Sequence, residues 1–275
     1  QWIRSGGLIV DGCRAKPKDR VNGGEQVLIE VETVGDTDRA EDIPLDIVYE
    51  DEQLVVVNKA PGLVVHPGAG NPHGTLLNAL LNYVPEVADI PRAGIVHRLD
   101  KETSGLLVVA KTLETQNYLV KQIQARDVTR VYHAVVYGLP ARQQGTIDGA
   151  IGRHPIQRKK MAIRADGKPA RTHYRVLQRF AEHALVECRL ESGRTHQIRV
   201  HMQALGYPLI GDTVYGGHYR RPRTQELEIV LRSFKRQALH ACKLGLSHPV
   251  TGREMIWRAE YPEDIQILID ALSEA

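Results

Sequence analysis

At 275 residues, with 42% hydrophobic and 25% charged, the chain has room for one large domain and a small one and the balance of a globular protein. No run reaches the roughly 18 apolar residues of a membrane helix, and the N-terminus lacks the charged-then-apolar order of a signal peptide. The net charge is only +3, but it is unevenly spread: residues 30–52 are acidic with Arg39 the sole cation, whereas residues 153–175 are basic with Asp166 the sole acid.

The chain opens at Gln1-Trp2-Ile3 without a methionine and reads as the start of a fragment. Residues 7–12 read as a short strand and turn, and residues 27–31 as a strand after the Asn22-Gly23-Gly24 turn. Arg14, Lys16, Lys18 and Arg20 lie between them. Thirty residues of this kind are unlikely material for a stable core of their own, and the polar stretch 33–42 reads as an acidic linker. The main domain then runs from 43 to 275. Residues 47–50 and 54–58 form an expected hairpin, and 75–83 an expected helix capped by Thr75. The apolar run 106–110 reads as a buried strand and 113–126 as a helix. Strands are expected at 131–137, 172–177 and 184–190, then a helix at 195–205 that Thr195 caps and Gly206 ends. Late strands at 239–246 and 255–260 and a terminal helix at 264–272 complete the series. Strands outnumber helices and hairpin turns are common, so the expected class is α+β around a mixed, mostly antiparallel sheet.

The densest chemistry lies in His97-Arg98-Leu99-Asp100-Lys101-Glu102-Thr103-Ser104-Gly105-Leu106. It places a cation, an imidazole and a carboxylate on a loop that enters a buried strand, where function is commonly sited. An Asp beside an Arg ahead of a strand is also a frequent turn former or local ion pair, so this segment alone decides nothing. Three cysteines, Cys13, Cys188 and Cys242, lack zinc-type spacing, and their odd number argues against a disulfide framework. A reducing, cytoplasmic setting is therefore expected. Basic clusters at 158–160, 220–223 and 232–236 point together to a polyanion partner, while 5% aromatic content argues against a broad base-stacking platform. A kinase is excluded: Leu99 separates Arg98 from Asp100, and no Asp-Phe-Gly occurs in the chain.

The ten-residue string resembles the signature of the pseudouridine synthases that act on ribosomal RNA, in the group carrying His-Arg-Leu-Asp before Thr-Ser-Gly-Leu. Further strings match the same group in order. They are residues 47–59, Gly62-Leu63-Val64-Val65-His66-Pro67-Gly68, Arg130-Val131-Tyr132-His133-Ala134, Gly193-Arg194-Thr195-His196-Gln197-Ile198-Arg199-Val200-His201, Gly211-Asp212-Thr213-Val214-Tyr215-Gly216-Gly217, Leu239-His240-Ala241 and His248-Pro249. The resemblance covers residues 43–262. It implies a bent sheet with the active-site cleft across its middle, no cofactor and no metal, and a substrate in large-subunit ribosomal RNA. Residues 1–32 resemble the C-terminal half of the small RNA-binding domain named after ribosomal protein S-four, whose first helices would precede Gln1.

By that resemblance Asp100 is the carboxylate that attacks or deprotonates the ribose, with both roles open. Arg199 is its ion-pair partner, and Tyr132 stacks on the flipped uracil or helps move a proton. Arg98 would fill the space a flipped base leaves or hold the flipped nucleotide, and Arg194 would contact phosphate. Arg158, Lys159 and Lys160 are expected RNA contacts in an insertion at 153–168. His97 is expected to support the loop, and His196 and His201, five apart, to be structural or RNA-contacting rather than metal ligands. No apolar seam stands out, so a monomer is expected. The competing reading is an inactive RNA-binding assembly factor on the same fold, which the intact trio Asp100, Tyr132 and Arg199 disfavours.

Overall fold

The computed structural model describes residues 8–21, 23–29, 39–216 and 224–275. The chain divides into two compact units, residues 1–39 and 40–275. In the first, β1 (Leu8–Val10) pairs antiparallel with β2 (Cys13–Arg14) on one side and β3 (Val27–Ile29) on the other. The expected strands at 7–12 and 27–31 are present as far as they are described. Most of the acidic linker at 33–42 and the whole basic run 220–223 lie outside the described residues.

The second unit has eleven strands and five α-helices among its described residues. The strands are β4 (Ile47–Glu50), β5 (Leu54–Lys59), β6 (Ser104–Ala110), β7 (Thr129–Tyr137), β8 (Gln144–Asp148), β9 (Ile151–Arg153), β10 (Met161–Ile163), β11 (Arg171–Arg179), β12 (His183–Leu190), β13 (Leu239–Ser247) and β14 (Glu254–Arg258). The helices are α1 (Leu76–Tyr83), α2 (Leu113–Ala125), α3 (Gln197–Ala204), α4 (Gln225–Ser233) and α5 (Glu263–Glu274). Nine strands make one sheet in the order β4-β5-β6-β13-β7-β12-β11-β8, with β14 paired to β13. Only β6 and β13 pair in parallel, so the class is α+β with a mixed, mostly antiparallel sheet, as expected. β9 and β10 form a separate antiparallel hairpin.

Burial on both faces explains the apolar runs. In β5, Val55 and Val57 join the core beneath α1, while Leu54 and Val56 join a second core with Leu119 of α2 and Trp257 of β14. A third core packs Ile265, Leu268 and Leu272 of α5 and Leu227 and Leu231 of α4 on Val135 and Leu185. An alternating pattern would have left one face of β5 to water; the continuous one fills both.

Local signals set the helix ends. Thr75 caps α1 in a reciprocal capping box with Asn78, and Thr112 caps α2 through the Thr115 amide. The expectation that Thr195 caps α3 is corrected. The N-cap is His196, in left-handed conformation with φ 57° and no side-chain cap. The turn out of β12 is tied instead by Gln197, whose Oε1 accepts from Ser192 Oγ and from the Arg194 amide. Gly206 does end α3, at φ +92°.

The β6–β13 junction is the feature that places the loop of interest. Ser104 and Gly105 register with His240 and Ala241. Gly105 adopts φ +112°, and a Cβ there would lie 2.4 Å from the Ala241 carbonyl oxygen. Both facts demand glycine. Gly105→Ala should lower the unfolding free energy by more than about 1 kcal/mol, read as a shifted urea midpoint; an unmoved midpoint would mean that the junction tolerates the change.

Candidate active site

His97, Arg98, Leu99, Asp100 and Thr103 line a cleft of about 630 Å³, a volume suited to a small-molecule or single-nucleotide ligand. The segment is fastened through its own backbone. The Lys101 carbonyl accepts from the Gly62 amide and from Lys59 Nζ, and Lys59 is 1% exposed with two further carbonyl acceptors, Ala60 and Leu63. Burial pulls the Lys59 pKa down to about 7. The Glu102 carbonyl accepts from Arg236 Nη1, and Arg236 is itself paired through two bonds with Asp264 of α5. Gln237 donates to Thr103 Oγ1 at 3.1 Å. His97 Nε2 accepts the Val108 amide at 3.1 Å, so its proton is on Nδ1. Burial, with Arg130 adding to it, pushes the His97 pKa down to about 3. This neutral imidazole is a strut between loop and strand.

Arg199, from the first turn of α3, lies between two carboxylates. Its Nη1 donates to Asp100 Oδ2 at 3.0 Å, and its Nε and Nη2 donate to the two oxygens of Asp212 at 2.7 and 2.9 Å. Burial opposes the charge on Arg199, but the bonds and charges of Asp212 and Asp100 outweigh it and raise the pKa. The two carboxylates differ in what else they meet. The Asp212 side chain is 0% exposed and also accepts the amides of Val214 and Tyr215. The Asp100 side chain is 18% exposed, and its Oδ1 has no hydrogen-bond partner among the described residues. Asp212 therefore orients the guanidinium, and Asp100 presents a free oxygen to the cleft.

Tyr132, on β7, lines the same cleft. Its hydroxyl has no hydrogen bond within the described residues, and burial raises its pKa, so it stands protonated and able to donate to a ligand. Tyr215 packs its ring under Arg199, 5.1 Å from the guanidinium carbon. The Tyr215 oxygen accepts the Met161 amide at 2.6 Å and donates to His196 Nδ1 at 2.9 Å. That chain of bonds fastens the β9–β10 hairpin to the cleft wall. His201 points elsewhere: fully buried, it bonds the Gly149 carbonyl and Thr172.

Of the residues singled out from sequence, Asp100, Tyr132, Arg199, Arg98 and Arg194 all line this one cleft. Arg98 and Arg194 are exposed at its rim, with Arg194 Nε on the Pro169 carbonyl. Arg158, Lys159 and Lys160 do not line it; they sit at the end of the β9–β10 hairpin, where Lys160 Nζ lies 5.9 Å from the Tyr215 ring centre. Sequence reading gave no role to Asp212, Tyr215, Arg92, Arg126 or Arg130. The first two lie in the quoted Gly211-to-Gly217 string, and an acid and a ring at fixed distance after the Arg199 motif were the available signal. Arg92 and Arg126 carried none beyond their charge.

The site thus joins a loop carboxylate, a buried arginine and a strand tyrosine in one cleft with exposed arginines at its rim. Residues 53–204 match the family model described as RNA pseudouridylate synthase, and the chain belongs to that family. It is 54% identical to the ribosomal large subunit pseudouridine synthase D of Pseudomonas aeruginosa, over 99% of this chain and 86% of that one. It is 52% identical to the protein of the same description in Escherichia coli K12, over 99% and 84%. Among solved structures it resembles human RNA pseudouridylate synthase domain containing 4, with TM-score 0.65, 27% identity and 82% and 92% coverage. Human RNA pseudouridylate synthase domain containing 1 gives 0.64, 28%, 85% and 90%.

The Asp212–Arg199 pair sets a pH dependence. Burial works to raise the Asp212 carboxyl, but the Arg199 bonds and charge prevail and hold it below its ordinary 3.8. A depressed folded-state pKa gives stability that is complete above the unfolded value and lost as pH falls through the folded one. Asp212→Asn should cost on the order of 3 kcal/mol at pH 7 and should flatten the loss of stability in acid below about pH 4. Chemical denaturation across pH checks both; parallel acid curves for the two proteins would remove the pair from this role.

Proposed function

We propose that this protein isomerises uridine to pseudouridine at stem-loop positions of large-subunit ribosomal RNA, acting as a monomer in the cytoplasm. The observation that carries the reading is the free Oδ1 of Asp100, held in the cleft by the Arg199–Asp100 bond of 3.0 Å. Full-length likeness to proteins described as large-subunit pseudouridine synthases supports the choice of RNA. So does the absence of any membrane-crossing helix among the described residues for the choice of an aqueous setting.

The reaction breaks the N1–C1′ bond, turns the uracil and joins C5 to C1′. Asp100 either bonds C1′ or removes a proton from the sugar; the Arg199 bond at 3.0 Å holds the carboxylate in place in both cases. The Tyr132 ring bounds the space for the extruded base. A base buried in a duplex stack must leave it to reach Asp100, and Arg98 at the rim is positioned to enter the gap. Arg194 binds backbone phosphate, and the hairpin cations Arg158, Lys159 and Lys160 extend that contact along the RNA. Loop nucleotides are preferred because their bases splay out readily.

Mapping pseudouridine on large-subunit ribosomal RNA, with and without the gene, tests the reaction. Specific pseudouridines should vanish and return with the wild-type protein but not with Asp100→Asn, which should bind RNA normally. Restoration by Asp100→Asn would remove Asp100 from the chemistry, and equal rescue of growth by both forms would favour an assembly role. Changing Arg158, Lys159 and Lys160 together to Glu should weaken RNA binding and reduce the slope of log affinity against log salt by about 2. An unchanged slope would leave the hairpin charges as solvent-facing only.

A further inference from the structure

Arg130 is a buried cation with no carboxylate paired to it among the described residues. It is 4% exposed, it lines the cleft, and its Nε is shut from solvent without a hydrogen-bond partner. Among the described residues it makes no ion pair. Burial lowers its pKa, and only Tyr132 acts in the opposite direction. Arginine remains charged under such conditions, so the folded protein holds an uncompensated guanidinium in its interior at a cost in stability. The protein also keeps space for it: a Cβ on Gly193 would fall 3.0 Å from Arg130 Nη1.

Its position narrows what the missing anion is. Arg130 and Tyr132 are two apart on β7 and share a face, about 7 Å from one to the next. Tyr132 feels Asp100 as well as Arg130, so the carboxylate and the guanidinium act on the same hydroxyl. Backbone phosphates meet exposed cations at the rim, where Arg98 and Arg194 are. Arg130, 4% exposed, lies deeper in the cleft than those rim cations.

We propose that Arg130 is a further catalytic residue, binding the uracil ring and stabilising the negative charge it carries between bond breaking and bond making. This rests on the function proposed above. When the N1–C1′ bond breaks, its electron pair stays on the base, and the charge spreads over N1, O2 and O4. C1′ is left bonded to Asp100 or, after loss of a sugar proton to Asp100, in a double bond to C2′. The base turns and C5 bonds to C1′ as the C1′–Asp100 bond breaks and its electron pair returns to the carboxylate, or as the C1′–C2′ double bond is protonated at C2′; the C5 proton departs and N1 gains a proton, so no atom is gained or lost. Any proton taken from the sugar returns there. A guanidinium already in place binds the anion more tightly than the neutral base, which lowers the barrier rather than merely holding substrate.

The test uses the full chain and a stem-loop RNA carrying tritium at uridine C5, whose release reports the reaction. Arg130→Met should slow single-turnover release roughly 100-fold, while RNA affinity stays within about threefold and its salt slope is unchanged. The thermal midpoint of the free variant should rise, because the uncompensated charge is gone. Added guanidinium should restore part of the rate to Arg130→Ala and none to Asp100→Asn. Full-speed release in Arg130→Met would overturn the proposal. So would a salt slope shallower by about 1 with an intact rate at saturation, which marks a phosphate contact. A fallen midpoint with no guanidinium rescue would make Arg130 structural and equally overturn it. A wild type that releases no tritium, from this RNA or from ribosomal RNA, would instead strike the function on which the proposal stands.

Discussion

The guanidinium of Arg199 is the joint on which this site hangs. It ties three segments far apart in sequence: the loop bearing Asp100, the start of α3, and the turn bearing Asp212. An arginine can do this because its planar fork offers two donors to one carboxylate and a third to another. Lysine, a point charge, could not hold both in fixed directions. The arrangement also divides labour between two chemically identical groups. Asp212 spends both oxygens on Arg199 and two amides, whereas Asp100 spends one. The fold thus supplies the counter-charge to Arg199 from a side chain shut off from the cleft and leaves one Asp100 oxygen unengaged among the described residues.

That joint would be useless on a mobile loop, and the sheet prevents mobility. The loop leads directly into β6, which meets β13 through a glycine that admits no side chain. Two buried cations, Lys59 and Arg236, hold successive carbonyls of the loop. Each has reason to stay: Lys59 has three carbonyl acceptors and Arg236 has Asp264. Through Asp264 the first turn of α5 is bonded to the loop two residues after Asp100, so the C-terminal helix is part of the site's support. Preorganisation of this kind means that little reorganisation is left for the moment of reaction.

Much of this was legible in the sequence because the signals are local. Thr75 before an apolar period, the 106–110 run and the hairpin around 51–53 each declare their structure within a few residues, and the ordered strings located Asp100, Tyr132 and Arg199 together. What escaped was set by distant partners. β8, β9 and β10 are short and polar on one side, and their pairing is visible only when β11 and α3 are in place. α4 follows residues outside the described set, and its amphipathic face has meaning only against α5. Thr195 looked like a cap because threonine is common there, but the helix starts one residue later, after His196 in left-handed conformation, and the turn is tied by Gln197. Asp212 was in plain sight in a quoted string, but its role needs Arg199 beside it, thirteen residues away.

The cations of the cleft sort by depth, and depth assigns their tasks. At the rim Arg98 and Arg194 are exposed, so the attraction of their charges for a polyanion is long-ranged and screened by salt. On the floor Arg199 is desolvated but compensated by Asp212 and Asp100. Between these extremes lies Arg130, desolvated and uncompensated. A charge in that condition raises the energy of the empty protein and is relieved only by a ligand that brings negative charge to it. The free energy lost in the empty state returns when the ligand's charge is greatest. A site that places such a residue beside Tyr132, and not at the rim, favours the charged intermediate over the resting RNA.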